Sequence, residues 1–131
     1  MTPQGSKAKG RFWENKIVEC LVSAGWLFSE RRRLAGISDK GDIAGIPHVV
    51  IEAKSAKTYS LPAWMKETRI ERDNAKADIG ALWIKANGHT SALEGMVLLP
   101  PEDFLFLLKK AGYGPVPFPG GVDPETVNPV D

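Results

Sequence analysis

The sequence predicts an α/β fold, a mixed five-stranded sheet flanked by helices, with the order helix, three strands, helix, two strands, helix. Segments with apolar residues at three- and four-residue spacing alternate with short runs rich in β-branched residues. Glycine, proline and asparagine mark the borders between them, and the chain has no internal repeat. A length of 131 residues suits one domain.

Composition excludes several classes of protein. The chain is 43% hydrophobic and 25% charged, close to the averages for globular proteins, so disordered and collagen-like classes are excluded. No apolar run approaches the roughly 18 residues of a membrane-spanning helix, and the polar, basic segment Met1 to Arg11 does not read as a secretion signal. A cytoplasmic location without membrane contact is expected. A lone Cys20 excludes an internal disulfide and offers no zinc-ligand spacing.

The first helix is predicted over Arg11 to Ala24, closed by Gly25, with residues 1–10 as a basic N-terminal arm. Glu14 falls inside the apolar arc of this helix at 100° per residue. A glutamate on a core face is unfavourable in a purely structural helix, so Glu14 is a candidate functional acid. The alternative interpretation is a favourable interaction with the helix dipole near the N-terminus.

Three strands are predicted next. The first covers 26–33, beginning apolar and becoming basic, and turn-forming residues follow at 38–41. The second, 42–46, is ended by Pro47. The third, 48–54, carries three consecutive β-branched residues that suit a strand buried on both faces.

The second half of the chain predicts a helix, two strands and a helix. The helices are expected at 61–76 and 101–110, each with proline in its first turn. The strands are expected at 79–85 and 96–99. The domain is expected to cover 1–114, and a Pro- and Gly-rich tail follows at 115–131.

Candidate chemistry concentrates at the end of the third strand. Glu52 and Lys54 share one face of that strand, because side chains alternate with period 2. A carboxylate on a buried strand is costly unless it is compensated, and a divalent cation is an efficient compensator. Asp42, on the neighbouring strand, would be the second carboxylate of a magnesium site that polarises a phosphoryl oxygen and activates water. Lys54 would position the water or neutralise charge in the transition state.

Structural interpretations of the same residues remain open. Glu-x-Lys arises readily by chance, and the two side chains can form a simple ion pair. Asp42 follows a glycine and can be a turn residue, and Asp39 competes with it as a metal ligand.

Together these residues resemble the PD-(D/E)xK nuclease superfamily and, within it, the archaeal-type and phage Holliday junction resolvases. The resemblance covers Lys9 to Tyr113. It is carried by Lys9-Gly10-Arg11-Phe12-Trp13-Glu14, Gly41-Asp42-Ile43 and Val50-Ile51-Glu52-Ala53-Lys54-Ser55. It implies a restriction-endonuclease-like core with Glu14, Asp42, Glu52 and the Ala53 backbone carbonyl as ligands of Mg²⁺ or Mn²⁺, and Lys54 as the catalytic lysine.

Two positions depart from the family pattern. Gly41 stands where the superfamily has the proline of its name. Resolvases often place a glutamine early in the helix after the lysine, and this chain offers Glu67 there, beside a weak apolar stripe of Leu61, Trp64 and Thr68. Glu67 is therefore an auxiliary candidate.

The charge distribution favours a polyanionic partner. Residues 1–60 hold ten lysines and arginines against six acids. The candidate phosphate contacts are Lys7, Lys9, Arg11, Arg31, Arg32, Arg33 and Lys57. Such contacts carry no base identity, so selectivity for DNA structure is expected rather than for base sequence.

The resemblance implies an endodeoxyribonuclease that cuts branched DNA, most notably four-way junctions, as a homodimer in a prokaryotic cell or phage-infected host, with no small-molecule cofactor. A two-fold dimer matches the symmetry of a four-way junction. The alternatives are the same chemistry on flaps, nicks or restriction and repair sites, and a DNA-binding module of this fold without catalysis.

Overall fold

The fold is described from a computed structural model, over residues 3–32 and 41–114. The elements are α1 (Pro3–Ser23), β1 (Glu30–Arg31), β2 (Ile43–Ala44), β3 (Val49–Lys54), α2 (Leu61–Asn74), β4 (Ile79–Ile84), a 3-10 turn (Ala92–Glu94), β5 (Met96–Leu98) and α3 (Pro101–Lys110). The five strands form one mixed sheet in the order β1-β2-β3-β4-β5. This architecture confirms the predicted α/β class and element order.

The chain forms two compact units, Met1–Pro100 and Pro101–Asp131. The described part of the second unit is α3 and the turn after it, with acids in the first helical turn and lysines in the last, as the helix dipole favours. The predicted bounds of α3 are confirmed, and the predicted tail at 115–131 lies outside the described residues. Within the described ranges, no helix is both long and apolar enough to cross a membrane.

Neighbouring strands of the sheet run antiparallel, except the third and fourth, which run parallel. β1, β2 and β3 pair antiparallel, and Ile43 lies opposite Ile51. β3 and β4 run parallel in a continuous register from Val49 with Ile79 to Lys54 with Ile84, and β5 returns antiparallel to β4. Parallel neighbours need a crossover connection, and α2 provides it.

The core lies between α1 and one face of the sheet. Trp13, Ile17 and Leu21 repeat on one face of α1 and pack with Ile43 and Ile51 of the strands. Trp13 is fully buried, and its Nε1 donates a hydrogen bond to the carbonyl of Trp83 at 3.1 Å. This contact joins α1 to β4.

The opposite sheet face carries α2. A Cβ added to Gly80 would lie 3.1 Å from Thr68 Cγ2 and 3.2 Å from Arg72 Cβ, so the helix packs closely against β4. Leu82 and Ile84, at alternate positions along the same strand, are fully buried. Glu52 and Lys54 lie on the same face of the sheet as α2, since both side chains lie close to acids of this helix.

The first helix is longer than predicted. It begins at Pro3, so the described part of the expected arm, residues 3–10, continues the helix. Proline is favourable in a first helical turn, and Ala8 and Lys9 are good helix formers. Gly10 interrupts no packing, because nothing lies within 4 Å of the position its Cβ would take.

The first strand is much shorter than the predicted 26–33. Gly25 adopts a φ of 115°, its N–H donates to Val22 O at 3.0 Å, and the Trp26 N–H donates to Leu21 O at 2.9 Å. This Schellman arrangement ends α1 and engages Trp26 in the helix cap, so pairing starts only at Glu30. The apolar start of the predicted strand is exposed rather than buried.

The remaining boundaries differ by one to a few residues. β2 ends at Ala44 because Gly45 turns with a φ of 105°, too close to the backbone of Phe28 for any Cβ. His48 has a φ of 66°, so β3 starts one residue later than predicted, and Lys76, with a φ of 53°, lies beyond the end of α2. A residue with a left-handed backbone fits neither strand nor helix geometry, so each of these elements stops short of such a residue.

Candidate active site

Asp42, directly before β2, is fixed by backbone and side-chain hydrogen bonds. Its N–H donates to Ile51 O at 2.8 Å, and its carbonyl accepts the Arg32 N–H at 2.7 Å. Its Oδ2 accepts the backbone N–H of Ala53 at 2.8 Å. The carboxylate is thus held against the strand that carries Glu52 and Lys54.

Gly41, directly before Asp42, has a backbone conformation that proline cannot adopt. Its φ is 91°, and an added Cβ would lie 2.8 Å from Val50 Cγ1 and 3.0 Å from Ile51 O. Proline fixes φ near −65°, so this backbone turn cannot accommodate it. Glycine is the residue that lets the chain approach β3 and still deliver Asp42.

Glu52 is a buried acid, with 4% of its surface exposed. Its Oε1 is buried and has no hydrogen-bond partner unless the neighbouring Glu71 carboxyl carries a proton. Burial raises the pKa of Glu52 to about 8, and the negative charges of Asp42 and Glu67 contribute to this rise. A hydrogen bond with Glu71 acts in the opposite direction and lowers the pKa. The carboxylate form of Glu52 is therefore unfavourable without a further positive charge.

Lys54 holds its ammonium between two carboxylates. Its Nζ lies 3.3 Å from Glu52 Oε2 and 2.9 Å from Glu67 Oε1, and 5.7 Å from the centre of the Trp64 ring. Burial alone would lower the pKa of Lys54, but the hydrogen bond and charge of Glu67, together with Glu52, outweigh it and raise that pKa. Lys54 is therefore an ammonium at neutral pH.

Glu14 of α1 lies close enough to Asp42 for its charge to act on that carboxylate. Burial raises the pKa of Asp42, the Ala53 N–H opposes the rise, and the nearby charge of Glu14 adds to it. Glu14 Oε1 also accepts a hydrogen bond from Arg31 Nε at 2.8 Å. Arg31, a predicted phosphate contact, is therefore engaged with a predicted metal ligand.

The second helix contributes two acids, one of which the sequence analysis missed. Oxygens of Glu52, Glu67 and Glu71 lie within 4.8 Å of one another. Glu71 is fully buried. Its position continues the stripe of Trp64 and Thr68 at helical spacing, which was the available signal, but a glutamate does not extend an apolar pattern.

The structure thus brings together Glu14, Asp42, Glu52 and Lys54, with Glu67 in contact with Lys54. Carboxylate oxygens are the ligands that magnesium prefers. An unpaired buried oxygen on Glu52 and mutually repelling acids fit a divalent cation at Asp42 and Glu52. The roles predicted for these residues remain predictions.

The predicted phosphate contacts occupy several places. Lys9 and Lys57 line a cavity beside the end of β3, and Arg11 and Arg32 are exposed. Lys7 lies in α1, but its side chain is outside the described part of the chain, as are Arg33 and the competing acid Asp39.

Comparisons of the chain with models of protein families, with curated proteins and with solved structures give no match. The resemblance to PD-(D/E)xK nucleases therefore stays a prediction from the motifs. Because one fold supports many activities, function is inferred from the chemistry of the site.

Proposed function

We propose that this protein is a magnesium-dependent endodeoxyribonuclease. The observation that carries the proposal is the convergence of the half-buried carboxylate of Asp42 and the buried carboxylate of Glu52 beside the ammonium of Lys54. This is the residue set of the PD-(D/E)xK motif, and the order of helices and strands along the chain fits the fold that the resemblance implies.

Asp42 and Glu52 would hold Mg²⁺ or Mn²⁺, with Glu14 and the carbonyl of Ala53 as further ligands. Bound there, the cation supplies Lewis-acid activation of the phosphodiester and of a water molecule. The chain itself prepares the site, because the Ala53 N–H orients Asp42 and the packing of β3 against α2 holds Glu52 in place.

Lys54 supplies positive charge rather than a general base. Its raised pKa keeps the ammonium protonated, so it would attract the scissile phosphate and stabilise the charge that develops on it. Glu67 and the Trp64 ring limit the positions open to the ammonium. Preorganised charge of this kind is effective where water is partly excluded.

The substrate we propose is branched DNA, with a four-way junction as the leading case. A homodimer would present two active sites to two opposed strands. The basic first half of the chain supports a DNA partner, and a prokaryotic or phage-infected cytoplasm suits such an enzyme. Flaps, nicks and recognition sites are the other DNA substrates for the same chemistry.

A DNA-binding module of this fold without catalysis is the second candidate. It is favoured by the ion pairs of Arg31 with Glu14 and of Lys54 with Glu52 and Glu67, which balance part of the acidic charge with the chain's own cations. In the nuclease the acidic cluster would bind a metal cation, whereas in the binding module it would have only a structural role.

Cleavage of an end-labelled four-way junction and a matched linear duplex, with magnesium or EDTA, separates them. We expect paired cuts in the junction, lost in EDTA and reduced at least about a hundredfold by Lys54→Met, since one transition-state contact is removed. Lys109→Met, on the exposed end of α3, is the matched control and should cut normally.

Equal cutting of the duplex would retain the nuclease and exclude junction selectivity. Binding of the junction without cleavage under any metal tested would refute the nuclease and support the binding module.

A further inference from the structure

A cavity of about 630 Å³ lies beside the proposed catalytic strand and is not used by the chemistry above. Its walls come from the start of α1, from the segment after β3 and from the segment after β4. The lining residues that matter chemically are Lys9, Phe12, Ser55, Lys57, Lys85 and Asn87. The cavity is adjacent to the proposed catalytic lysine in the chain, because its lining residue Ser55 directly follows Lys54.

The charged side chains that line the cavity are basic. Three lysines line it, and none of its lining residues in the described part of the chain is an acid. Over the described ranges 3–32 and 41–114, none of Lys9, Lys57 and Lys85 forms an ion pair with an acid. Three ammonium groups around one concave surface attract a phosphate, and Ser55 and Asn87 add neutral hydrogen-bonding groups.

The backbone that carries the lysines is braced. Asn87 Nδ2 donates to Lys57 O at 3.1 Å, and Tyr59 Oη donates to Lys85 O at 2.9 Å. The Lys85 N–H donates to Lys54 O at 2.9 Å and so joins the cavity wall to the catalytic strand. A preformed site of this kind binds a ligand with less ordering cost.

One wall is aromatic. Phe12 lines the cavity with 43% of its surface exposed. Aromatic rings stack on nucleobases without regard to base identity, and only an unpaired base presents its face to a ring. A volume of this size lies in the range of small-ligand pockets and accommodates one nucleotide.

We infer that this cavity binds a single unpaired nucleotide of a DNA strand, its phosphate on Lys9, Lys57 and Lys85 and its base against Phe12. The inference rests on the proposed function, because DNA is the ligand of both sites. It adds a substrate requirement: strands with an unpaired nucleotide next to the cut are preferred over continuous duplex.

Fluorescence anisotropy in EDTA tests the inference without catalysis. The probes are a labelled oligothymidylate and a labelled blunt-ended linear duplex. Phe12→Leu should weaken binding of the single strand about fivefold or more and leave binding of the duplex unchanged, since stacking is lost. Phe12→Tyr should restore single-strand binding. Phe104→Leu, at an exposed phenylalanine of α3, is the matched control.

Lys57→Met and Lys85→Met should each weaken single-strand binding and reduce its salt slope by about one, whereas Lys109→Met should not. Inorganic phosphate should compete only weakly, because it lacks the base. Thermal melting of each variant establishes that it is folded. Full competition by inorganic phosphate with no effect of Phe12→Leu would show an anion site without nucleotide recognition and overturn the inference.

The proposed nuclease activity and the proposed nucleotide site can be refuted independently of each other. A chain that cuts no DNA but shows the predicted pattern with Phe12, Lys57 and Lys85 loses the nuclease and keeps the nucleotide site. A chain that cuts junctions while single-strand binding is unaffected by these variants keeps the nuclease and loses the nucleotide site.

Discussion

At the scale of the residue, Glu52 shows the tension between stability and function in this site. Its carboxyl is buried near Asp42 and Glu67, and its raised pKa records that the charged form is unfavourable. A chain selected only for stability would place an apolar residue there. Glu52 is therefore the position where substitution should be most informative.

Glu52→Gln should stabilise the metal-free protein at alkaline pH. The folded-state pKa of about 8 lies above the ordinary 4.5, so the folded protein holds a proton that the unfolded chain releases. The destabilisation of the natural protein by the Glu52 carboxyl is absent below pH 4.5, grows as pH rises and reaches its full size above pH 8. We expect the variant to gain up to a few kcal/mol at pH 8 and nothing near pH 4, measured by denaturant unfolding in EDTA.

Glu19→Gln, at an exposed acid of α1, is the control and should show no such pH dependence. A Glu52→Gln protein that is less stable than the natural chain at pH 8 would contradict the prediction.

Magnesium should raise the melting temperature of the natural protein. A ligand that binds only the folded state stabilises it by about 2.7 kcal/mol at a hundred times its Kd. The rise should be lost in Glu52→Gln and kept in Glu19→Gln, as followed by thermal melting in magnesium titrations. Equal rises in all three proteins would place the cation elsewhere.

At the scale of the element, the turn into β2 decides whether the site forms. Gly41 combines a left-handed backbone with close contact to Val50, and the next residue is Asp42. The carboxylate position therefore depends on a residue that carries no side chain. This dependence is local, since Asp42 is then bonded directly to Ala53.

Gly41→Ala should destabilise the protein by roughly 1–3 kcal/mol, because a left-handed φ and a clash with Val50 Cγ1 are imposed together. Gly10→Ala, in open space on α1, should instead stabilise by roughly 0.5–1 kcal/mol. Chemical denaturation measures both changes. If the two substitutions have effects of the same sign, the assigned turn geometry is wrong.

The elements that sequence predicted best were those with long, uniform patterns. β3, with its β-branched run, and α3, with proline and charged ends, were placed within a residue. β1 was overestimated because the cap of α1 engages Trp26 through a hydrogen bond that periodicity does not reveal. Glu71 was missed since a buried acid breaks the apolar stripe that would have identified its face.

The placement of the candidate acids was predictable only in part. Period 2 put Glu52 and Lys54 on one side of a strand, and the structure has them in contact. The ion pair of Glu14 with Arg31 joins residues 17 positions apart and depends on how β1 runs beside α1. Sequence pattern carries no information on that pairing.

At the scale of the whole molecule, a buried tryptophan connects the elements that surround the core. Trp13 has no exposed surface, bonds the carbonyl of Trp83 and contacts the position of Gly95, where an added Cβ would lie 3.0 Å from its ring. It therefore joins α1 to β4 and to the segment before β5.

Trp13→Phe should destabilise the protein by roughly 2–4 kcal/mol, because the change leaves a cavity and removes the hydrogen bond to the carbonyl of Trp83. Trp83→Phe removes a comparable hydrogen bond, to Ala92 O at 3.1 Å, from a half-buried ring and should cost less. Urea unfolding of both variants gives the comparison. A larger loss for Trp83→Phe would show that the core is centred elsewhere.

The ion pair between Arg31 and Glu14 has a thermodynamic consequence. Arg31 Nε can donate either to the Glu14 carboxylate, at 2.8 Å, or to another anion. The Glu14 carboxylate can contact either this guanidinium or a metal cation. An anionic ligand that draws Arg31 away makes Glu14 available to a cation, and a cation on Glu14 releases Arg31 to the anion. By linkage the two effects are equal in free energy, so a cation bound at Glu14 and a polyanion bound at Arg31 would each raise the affinity for the other by the same factor.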